Sequence, residues 1–517
     1  MNDPSQPLGW AEVVVIGAYL MFLLLIGLAG WRSRRANTLA DFYLGGNGTG
    51  LFVLILTLYA TQYSGNTLFG FTGKTYRVGL SWTVSVQFMT AIVVAYLCFA
   101  PRLFALSRKF SFITPGDFLE HRFRYKPLTF AASGVMIVAI ANFLLAQMMA
   151  MGKAVEGLFP QHAITAYCSG VIFLAAIMLV YETLGGFRAV AWTDAIQGGI
   201  LMFGFVSVLY LIFSRFGSLE LAMQRLEVHS PETLQPPTWK GIAEWVSYLV
   251  IVGLGCSLYP QAIQRIYCAR NSRTLRLSLA VMAFLPLITT TVSLLAGMMG
   301  RAYFPELPSD QSDSLLTILC REVQQDSLLG RWLVVVLFAA ILAAIMSTAD
   351  SVVLSISSML TKDWYASSRP FATEGQMLRF GNYCSWLCVA GGVTGAILLR
   401  ETTLVTMLDR KLDLLVQLTP AFMLGLWWKG LDGKSVFLGL LVGLTVSLSL
   451  VILGYSKLLG IHAGLYGLIC NLLLVWGRCN FWGPSLDRSA SVEACIPGDA
   501  HLGSVNIGDD SIGHDNV

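Results

Sequence analysis

The stretch that decides the fold reads LTLYATQYSGNTLFG and covers residues 56–70. It lies in an apolar segment, 51–76, that is long enough to cross a membrane, since one helical crossing needs about 20 mostly apolar residues. Seven residues between positions 61 and 70 are nevertheless polar or Gly. Such residues are tolerated at membrane depth where they face protein or a water-filled cavity. The run 64–66 therefore predicts either a helix break that frees carbonyls for an ion or close helix packing through Gly65 and Gly70.

The composition of the whole chain indicates a membrane protein. Of the 517 residues, 55% are hydrophobic and 12% are charged, whereas soluble globular domains have roughly 25% charged residues. The net charge of +4 is small and gives no reason to expect a nucleic-acid partner. Thirteen apolar segments predict an all-α polytopic membrane protein, with a transporter domain over residues 9–482. The predicted spans are 9–31, 51–76, 80–103, 127–152, 163–184, 188–214, 241–263, 277–300, 330–360, 375–399, 404–428, 434–456 and 460–482.

The distribution of Lys and Arg predicts an orientation. These residues are more numerous on the segments that lie inside when residues 1–8 are outside, for example after the first span (Arg32) and after the seventh (Arg265, Arg270). The positive-inside rule then gives an outer N-terminus and a cytoplasmic C-terminus, in a plasma membrane or bacterial inner membrane. Residues 483–517 are polar and rich in Gly, Asp and Ser, which predicts a disordered cytoplasmic tail.

Motifs of enzymes and ATP-driven pumps do not occur in the sequence. The ten Cys residues form no C-x-x-C pair, the six His residues form no H-E-x-x-H, and no G-x-x-x-x-G-K-[ST] is present. We therefore expect neither enzyme chemistry nor transport driven by ATP. A channel, a transporter-like solute sensor, or a carrier that draws on an ion gradient remains.

A second polar stretch lies in the ninth predicted span, where residues 338–351 read FAAILAAIMSTADS. Ala344, Ser347, Thr348 and Ser351 share one helical face, because they are spaced i, i+3, i+4 and i+7. Hydroxyls and carbonyls are the uncharged oxygens that suit a hard cation such as Na+. The alternative is that the hydroxyls only bond carbonyls one turn earlier in their own helix.

Asp194 and Asp350 are the two acidic residues that lie deepest in the predicted spans, both in the cytoplasmic half of the membrane. A carboxylate at such a depth costs about 2.5–3.5 kcal/mol on insertion scales. With the hydroxyl face at a similar depth, the two acids suggest a route for a cation. The alternative is a pair of structural acids that are only hydrogen-bonded.

At these residues the sequence resembles the sodium/solute symporter family, with features of its pantothenate and monocarboxylate branch. The resemblance covers nearly the whole chain to about residue 482. It rests on DFYLGG at 41–46, GGFRAVAWTDAIQ at 185–197, YPQAIQR at 259–265, and AIMSTADS at 344–351 followed by KDWY at 362–365. It implies a LeuT-like five-plus-five inverted repeat with broken helices, the first repeat over about 51–214 and the second over about 241–428.

The resemblance also implies a sodium site. Its ligands would be the carbonyls of Ala60, Tyr63 and Ala344 with the hydroxyls of Ser347 and Thr348. These are also the positions at which the residues themselves suggested oxygen ligands. Proton-coupled relatives of this fold tend to place a basic residue near this site, and neither of these two segments has one, which favours Na+ as the coupling ion.

A second sodium site or a release path is implied at Asp194, with Ser347 and Ser351 as candidate partners and with Asp350 beside them. The solute cavity is a separate prediction, made from polar or backbone-exposing residues on the spans that should frame it. Its members are Ser64, Gly65, Gln87, Pro260 and Gln261.

The identity of the solute is only narrowed. Val252 and Cys256 stand where the proline carriers have aromatic residues, which disfavours proline, and Thr67 and Val86 stand where the sugar carriers have a polar clamp. The predicted function is sodium-coupled import of a small organic anion, such as pantothenate or a monocarboxylate, or of an amino acid. An anion would need a cationic partner, for which Arg77 is a candidate, although it more often only reaches the headgroups. A proton-coupled carrier and a solute sensor are the alternatives.

Overall fold

The computed structural model describes residues 10–34, 36–64, 66–156, 159, 162–308, 312, 315–316, 318–319, 328–400 and 404–481. The described chain is almost entirely helical, apart from one two-stranded hairpin in which β1 (Lys457–Leu458) pairs with β2 (Ile461–His462). The predicted tail, 483–517, and Gly65 lie outside the described residues. The all-α prediction is confirmed.

The helices are, in chain order, α1 (Trp10–Arg32), α2 (Leu39–Leu44), α3 (Leu51–Gln62), α4 (Phe71–Val78), α5 (Val84–Phe110), α6 (Pro115–Phe123), α7 (Lys126–Glu156), α8 (Ala163–Phe216), α9 (Leu219–His229), α10 (Trp239–Ser257), α11 (Pro260–Cys268), α12 (Ser272–Met282), α13 (Leu285–Tyr303), α14 (Leu328–Met359), α15 (Glu374–Leu398), α16 (Leu404–Leu415), α17 (Gly425–Trp427), α18 (Gly433–Ile452) and α19 (Ala463–Phe481). Among the described residues, four 3₁₀ turns (Gly45–Asn47, Gly79–Thr83, Pro231–Leu234, Val416–Leu418) and three π segments (Asn66–Gly70, Leu360–Ala366, Pro420–Leu424) connect or extend them.

Several of these helices are suited to a membrane. Within the described residues, seven are long and apolar enough to cross it, or eight if the bent pair α10 and α11 counts as one span. Helix α8 has 54 residues, about 81 Å at 1.5 Å per residue, far more than one crossing of about 30 Å. Its backbone leaves the helical conformation at Gly186 (φ 59°, ψ −151°), between the predicted spans 163–184 and 188–214. The count of thirteen spans stays a prediction.

The helical segment that contains residues 56–70 is interrupted. Helix α3 ends at Gln62, Tyr63 is extended (φ −102°, ψ 107°), and helical structure resumes with the π segment Asn66–Gly70. A corresponding break separates α10 from α11, which meet at 52°. There Pro260 occupies the first turn of α11, a position that Pro tolerates because its missing N–H would have no helical partner.

The core around these breaks is formed by α3, α7, α8 and α14. Helix α14 packs against α8 and α7, and it also contacts α3. Its residues from Ala340 to Met359 are almost all buried. The interrupted end of α3 and the hydroxyl face of α14 therefore meet in the interior of the protein.

Candidate functional site

Four oxygen atoms from the interrupted end of α3 and from α14 converge. The hydroxyls of Ser347 and Thr348 each lie 3.4 Å from the carbonyl oxygen of Ala60. They lie 3.3 and 3.0 Å, respectively, from the carbonyl oxygen of Ala344. All four residues are buried. The Ala60 carbonyl is available because the last four carbonyls of a helix have no partner within it. We call these four residues the oxygen cluster.

Tyr63, the remaining predicted sodium ligand, lies one turn beyond Ala60. Its N–H donates to the carbonyl of Tyr59 at 3.0 Å, and its extended conformation takes its own carbonyl out of the helical hydrogen-bond pattern. The residue is 1% exposed. The predicted break therefore leaves the backbone carbonyl of a buried residue outside the helical hydrogen-bond pattern, three residues after Ala60.

Asp194 of α8 forms a buried ion pair with Arg265 of α11. The Nη2 atom of Arg265 lies 2.8 Å from Oδ2 of Asp194, and the two side chains are 2% and 0% exposed. Thr57 donates its hydroxyl to the same carboxylate oxygen and accepts a hydrogen bond of 2.8 Å from Nε of Arg265. The charge of Asp194 is thus matched inside the protein.

Arg265 requires a correction of the sequence analysis. The sequence predicts a cytoplasmic loop charge at this position, but Arg265 is buried, and its guanidinium also donates to the carbonyl of Gln261 and to the hydroxyl of Ser351. A basic group therefore does approach the hydroxyl face of α14, and it comes from the segment 259–265, outside the two segments whose lack of a basic residue favoured Na+. Its charge is directed at Asp194, whereas the oxygen cluster lies about one turn away along α14.

Asp350 and Ser351 connect the ion pair to the oxygen cluster. Asp350 accepts a hydrogen bond of 2.7 Å from the hydroxyl of Tyr181. The Ser351 hydroxyl donates to the carbonyl of Ser347 at 2.7 Å and lies 3.2 Å from Oδ1 of Asp350. The three residues predicted for a second sodium site or a release path therefore come together, with Arg265 as a member that the sequence analysis missed.

A small internal cavity of about 40 Å³ lies next to the break in α3. Among the predicted solute residues, Ser64 lines it, whereas Gln87 is exposed on α5 and does not. Pro260 and Gln261 are buried at the start of α11 and are not among the lining residues, although the preceding residue, Tyr259, is. The lining residues are Gln62, Ser64, Thr67, Phe71, Trp82, Phe88, Met89, Ile92, Phe143, Tyr248, Val252, Cys256, Tyr259, Lys411 and Leu412.

The cavity wall contains a cation that the sequence analysis missed. Lys411 of α16 is 1% exposed, and its Nζ lies 2.9 Å from the ring centroid of Phe143 and 5.0 Å from that of Tyr259. A signal was present, because the predicted span 404–428 contains Asp409, Arg410, Lys411 and Asp413. Ionisable residues inside a span mark functional sites by default.

A comparison with protein families identifies the fold and its general activity. The model of the sodium:solute symporter family matches residues 42–443, which is most of the chain. The chain belongs to the sodium:solute symporter family.

Individual relatives agree with this assignment. The chain is similar to the osmoregulated proline transporter OpuE of Bacillus subtilis (27% identical over 478 residues, 89% of this chain and 93% of that protein). It is also similar to a sodium/pantothenate symporter of Haemophilus influenzae (26% over 466 residues, 88% and 93%). Among solved structures it resembles a Na+-coupled sialic acid symporter in a substrate-bound outward-open state (TM-score 0.76, 19% identical, 92% of this chain and 99% of that one).

Membership in the sodium:solute symporter family settles several predictions. The chain is a membrane-embedded transporter and not an enzyme, and Na+ is the coupling ion of its family. The LeuT-like fold is confirmed by the likeness to solved symporters. Relatives of similar identity transport proline or pantothenate, so the argument against proline from Val252 and Cys256, both of which line the cavity, stays a prediction.

Arg77 is the residue predicted as the cationic partner of an anionic solute. It is not one of the described residues that line the cavity. It lies near the end of α4, where its guanidinium donates to the hydroxyl of Ser312. Of the described residues that line the cavity in this sodium:solute symporter, Lys411 is the basic one.

Proposed function

We propose that the protein is a sodium-coupled secondary active symporter that imports a small organic solute by alternating access. The solute would be an organic anion such as pantothenate or a monocarboxylate, or an amino acid. The observation that carries the proposal is the oxygen cluster. In it the hydroxyls of Ser347 and Thr348 each lie within 3.4 Å of the carbonyl oxygens of Ala60 and Ala344.

The oxygen cluster has the chemistry that a coupling site for Na+ needs. Uncharged oxygens are suitable ligands for a hard cation, and the absence of full negative charge among these four residues leaves the ion able to depart. A sodium ion bound there would replace the weak hydroxyl–carbonyl contacts and connect α3 to α14. Because the two helices belong to different parts of the fold, binding would favour the arrangement in which they are close.

The solute would bind at the cavity that Gln62 and Ser64 line, next to the break in α3. The same break supplies the Ala60 and Tyr63 carbonyls of the proposed sodium site. Occupation of one site therefore orders the backbone that forms the other, which is a physical basis for coupling. A membrane potential contributes about 2.3 kcal/mol per charge for each 100 mV, and each tenfold sodium gradient about 1.4 kcal/mol.

Asp194, Asp350 and Ser351 fit a release path better than a second resident sodium site. The Asp194 carboxylate already has the guanidinium of Arg265 at 2.8 Å, so a cation bound there would compete with a buried positive charge. Passing ions would instead meet the pair transiently on the cytoplasmic side. We place the N-terminus outside and the C-terminus in the cytoplasm, in a plasma or bacterial inner membrane, on the strength of the Lys and Arg distribution.

Thermal unfolding of the purified protein tests this proposal, with measurements in sodium chloride and in potassium chloride at equal ionic strength. Sodium should raise the unfolding temperature, because a ligand that binds only the folded state stabilises it by mass action. The same assay screens pantothenate, monocarboxylates, amino acids and sugars. A protein that sodium does not stabilise, and whose solute binding responds to pH instead, would support the proton-coupled alternative.

A further inference from the structure

We propose that a second cavity, at the end of the protein where α3 begins, binds the headgroup of an anionic phospholipid. Its wall combines the glycine-rich segment 45–50 with the first turn of α3 and with the part of α8 around Arg188, and its volume is about 350 Å³. Sites for small molecules typically have a volume of this size. We call it the Arg188 cavity. None of its described lining residues lines the solute cavity, and the inference does not depend on coupling to sodium.

Arg188 gives this cavity a guanidinium that still has donors to offer. The side chain is 15% exposed and pairs with the carboxylate of Asp41, and its Nη1 atom donates to the carbonyl of Ser33 at 3.0 Å. The Nε atom has no hydrogen-bond partner among the described residues. A guanidinium has five N–H donors, and their planar arrangement matches the oxygens of a phosphate. Arg188 can therefore hold Asp41 and a phosphate together.

The glycine-rich segment places backbone N–H groups along the wall. Gly45 and Gly46 have φ of 62° and 73°, and successive N–H groups in left-handed and turn conformations form concave sites for anions. Helix α3 begins directly after Gly50, where no described side chain caps it, and its first N–H groups have no partner within the helix. A Cβ built at Gly48 or Gly50 would meet no atom within 4 Å. This part of the wall is therefore open and attracts a negative charge.

Two further arginines stand beside the Arg188 cavity. Arg108 of α5 donates from Nη1 to the carbonyl of Asn47 at 3.3 Å, and the N–H of Arg270 donates to the carbonyl of Thr49 at 3.0 Å. Both arginines are exposed. With Arg188 they outnumber the carboxylate that pairs with it, so this end of the protein attracts anionic headgroups.

Apolar side chains at the cavity favour a lipid over a soluble phosphate. Trp192 lines the cavity and is 39% exposed, and Phe52, which precedes the lining residue Val53, is 73% exposed. Exposed aromatic residues near the ends of spanning helices lie at the level of the headgroups. A lipid whose phosphate lies beside Arg188 places its acyl chains along Phe52 and Trp192. Basic pockets between spanning helices are typical headgroup sites.

The Arg188 cavity joins the two helices that carry the proposed ion path. Helix α3 continues to Ala60 of the oxygen cluster, and Asp194 follows Trp192 by two residues on α8. A bound headgroup contacts both helices at one end and favours the arrangement in which they are close. We therefore expect the lipid to stabilise the folded protein.

Thermal unfolding of the purified full-length protein in detergent and potassium chloride tests the inference. Phosphatidylglycerol and phosphatidylcholine with identical acyl chains are added over the same concentration range. Phosphatidylglycerol should raise the unfolding temperature in a saturable way, because a ligand of the folded state stabilises it by mass action, whereas phosphatidylcholine should have a much smaller effect. Inorganic phosphate and glycerol phosphate serve as soluble probes and should cause no shift at the same concentrations.

Two substitutions should weaken the effect of phosphatidylglycerol. Arg188→Gln removes the cation, and Gly48→Glu places a carboxylate at the open wall while leaving the pair of Arg188 and Asp41 intact. Each should raise the half-saturating lipid concentration about fivefold or more, which corresponds to about 1 kcal/mol, the contribution of one basic residue near an anionic membrane. If Arg188→Gln does not fold, Gly48→Glu decides the outcome.

Matched controls separate charge at the cavity from charge elsewhere. Gly48→Gln has the size of Gly48→Glu without its charge, and Gly375→Glu adds the same charge in the first turn of α15, where a Cβ also meets no atom within 4 Å. Both should respond to phosphatidylglycerol as the wild type does.

Three results would overturn the inference. They are an equal shift with phosphatidylcholine, an equal shift with the soluble phosphates, and equal lipid titrations for Gly48→Glu and Gly48→Gln. Because these measurements contain no sodium, a failure to observe stabilisation by sodium would count against the proposed function alone.

Discussion

Arg265 and Asp194 are 71 residues apart in the sequence, yet their side chains form an ion pair of 2.8 Å in the interior of the protein. Thr57 bonds both partners, and Ser351 receives a further hydrogen bond from Arg265. The pair thereby joins α3, α8, α11 and α14 at one point, about one turn of α14 from the oxygen cluster.

Substitution Arg265→Met should destabilise the folded protein by about 3–5 kcal/mol, because it leaves the buried Asp194 carboxylate without its cation. The double variant Arg265→Met/Asp194→Asn should lose less than the sum of the two single losses. The apparent unfolding temperature in detergent measures all three. Glu232→Gln, which breaks a surface pair with Arg301 at 3.3 Å, is the control and should cost about 1 kcal/mol or less. Strictly additive losses in the double variant would contradict a direct interaction.

Substitutions Ser347→Ala and Thr348→Ala should each weaken stabilisation by sodium. Each removes one hydroxyl of the oxygen cluster, so the half-saturating sodium concentration should rise about tenfold, taking one hydrogen bond to a charged group as the guide. Thermal unfolding over a sodium titration measures the change. Ser207→Ala is a matched control, since this buried hydroxyl donates to the carbonyl of Phe203 in its own helix. An unchanged sodium titration in both cluster variants would remove these hydroxyls from the site.

Gly186→Ala should destabilise the protein by about 1–3 kcal/mol, the cost of a backbone conformation that essentially only Gly adopts. The added Cβ would also lie 2.7 Å from the carbonyl oxygen of Phe42. Gly199→Ala on the same helix is the control, because a Cβ there meets nothing within 4 Å. Unfolding temperatures compare the two. Equal tolerance of both substitutions would show that the break in α8 does not depend on Gly186.

The stability of the protein should fall as the pH is lowered through the ordinary range of histidine, in part because of His121. Burial, with Arg124 and Lys109 nearby, lowers the pKa of His121. The unfolded chain, with a pKa of about 6.5, then binds a proton more readily than the folded protein, so this contribution is complete above pH 6.5 and is lost below it. His121→Gln should flatten the dependence of unfolding temperature on pH between about 6.5 and 5. A variant with the same or a steeper slope would contradict the assignment.

Much of the architecture could be predicted from the sequence, because a run of polar residues inside an apolar span is compatible with few structures. The break in α3 follows from the residues after Thr61, and the hydroxyl face of α14 follows from the spacing of Ala344, Ser347 and Thr348. Both depend on local pattern and on the cost of polar groups in lipid. The predicted break and the predicted face meet in the structure, where the Ala60 carbonyl lies 3.4 Å from two hydroxyls.

The parts that were missed depend on contacts between distant segments. Arg265 looks like a loop charge because YPQAIQR lies near the end of a predicted span, and only the packing of α11 against α3 and α14 buries it. Lys411 was overlooked although its span carries four ionisable residues. Gln87 was expected at the cavity, but its neighbours Phe88 and Met89 line it instead, since adjacent residues on a helix face different directions.

We infer that sodium moves with the solute through the oxygen cluster. This inference is tested most directly by uptake of radioactive sodium into potassium-loaded proteoliposomes, with and without a mixture of propionate, pyruvate, benzoate and pantothenate. The account predicts that the mixture stimulates sodium uptake by the wild type and by Ser207→Ala, and that Ser347→Ala/Thr348→Ala loses this stimulation at a sodium concentration that saturates the wild type. Stimulated uptake that is equal in the double variant and the wild type would contradict the claim.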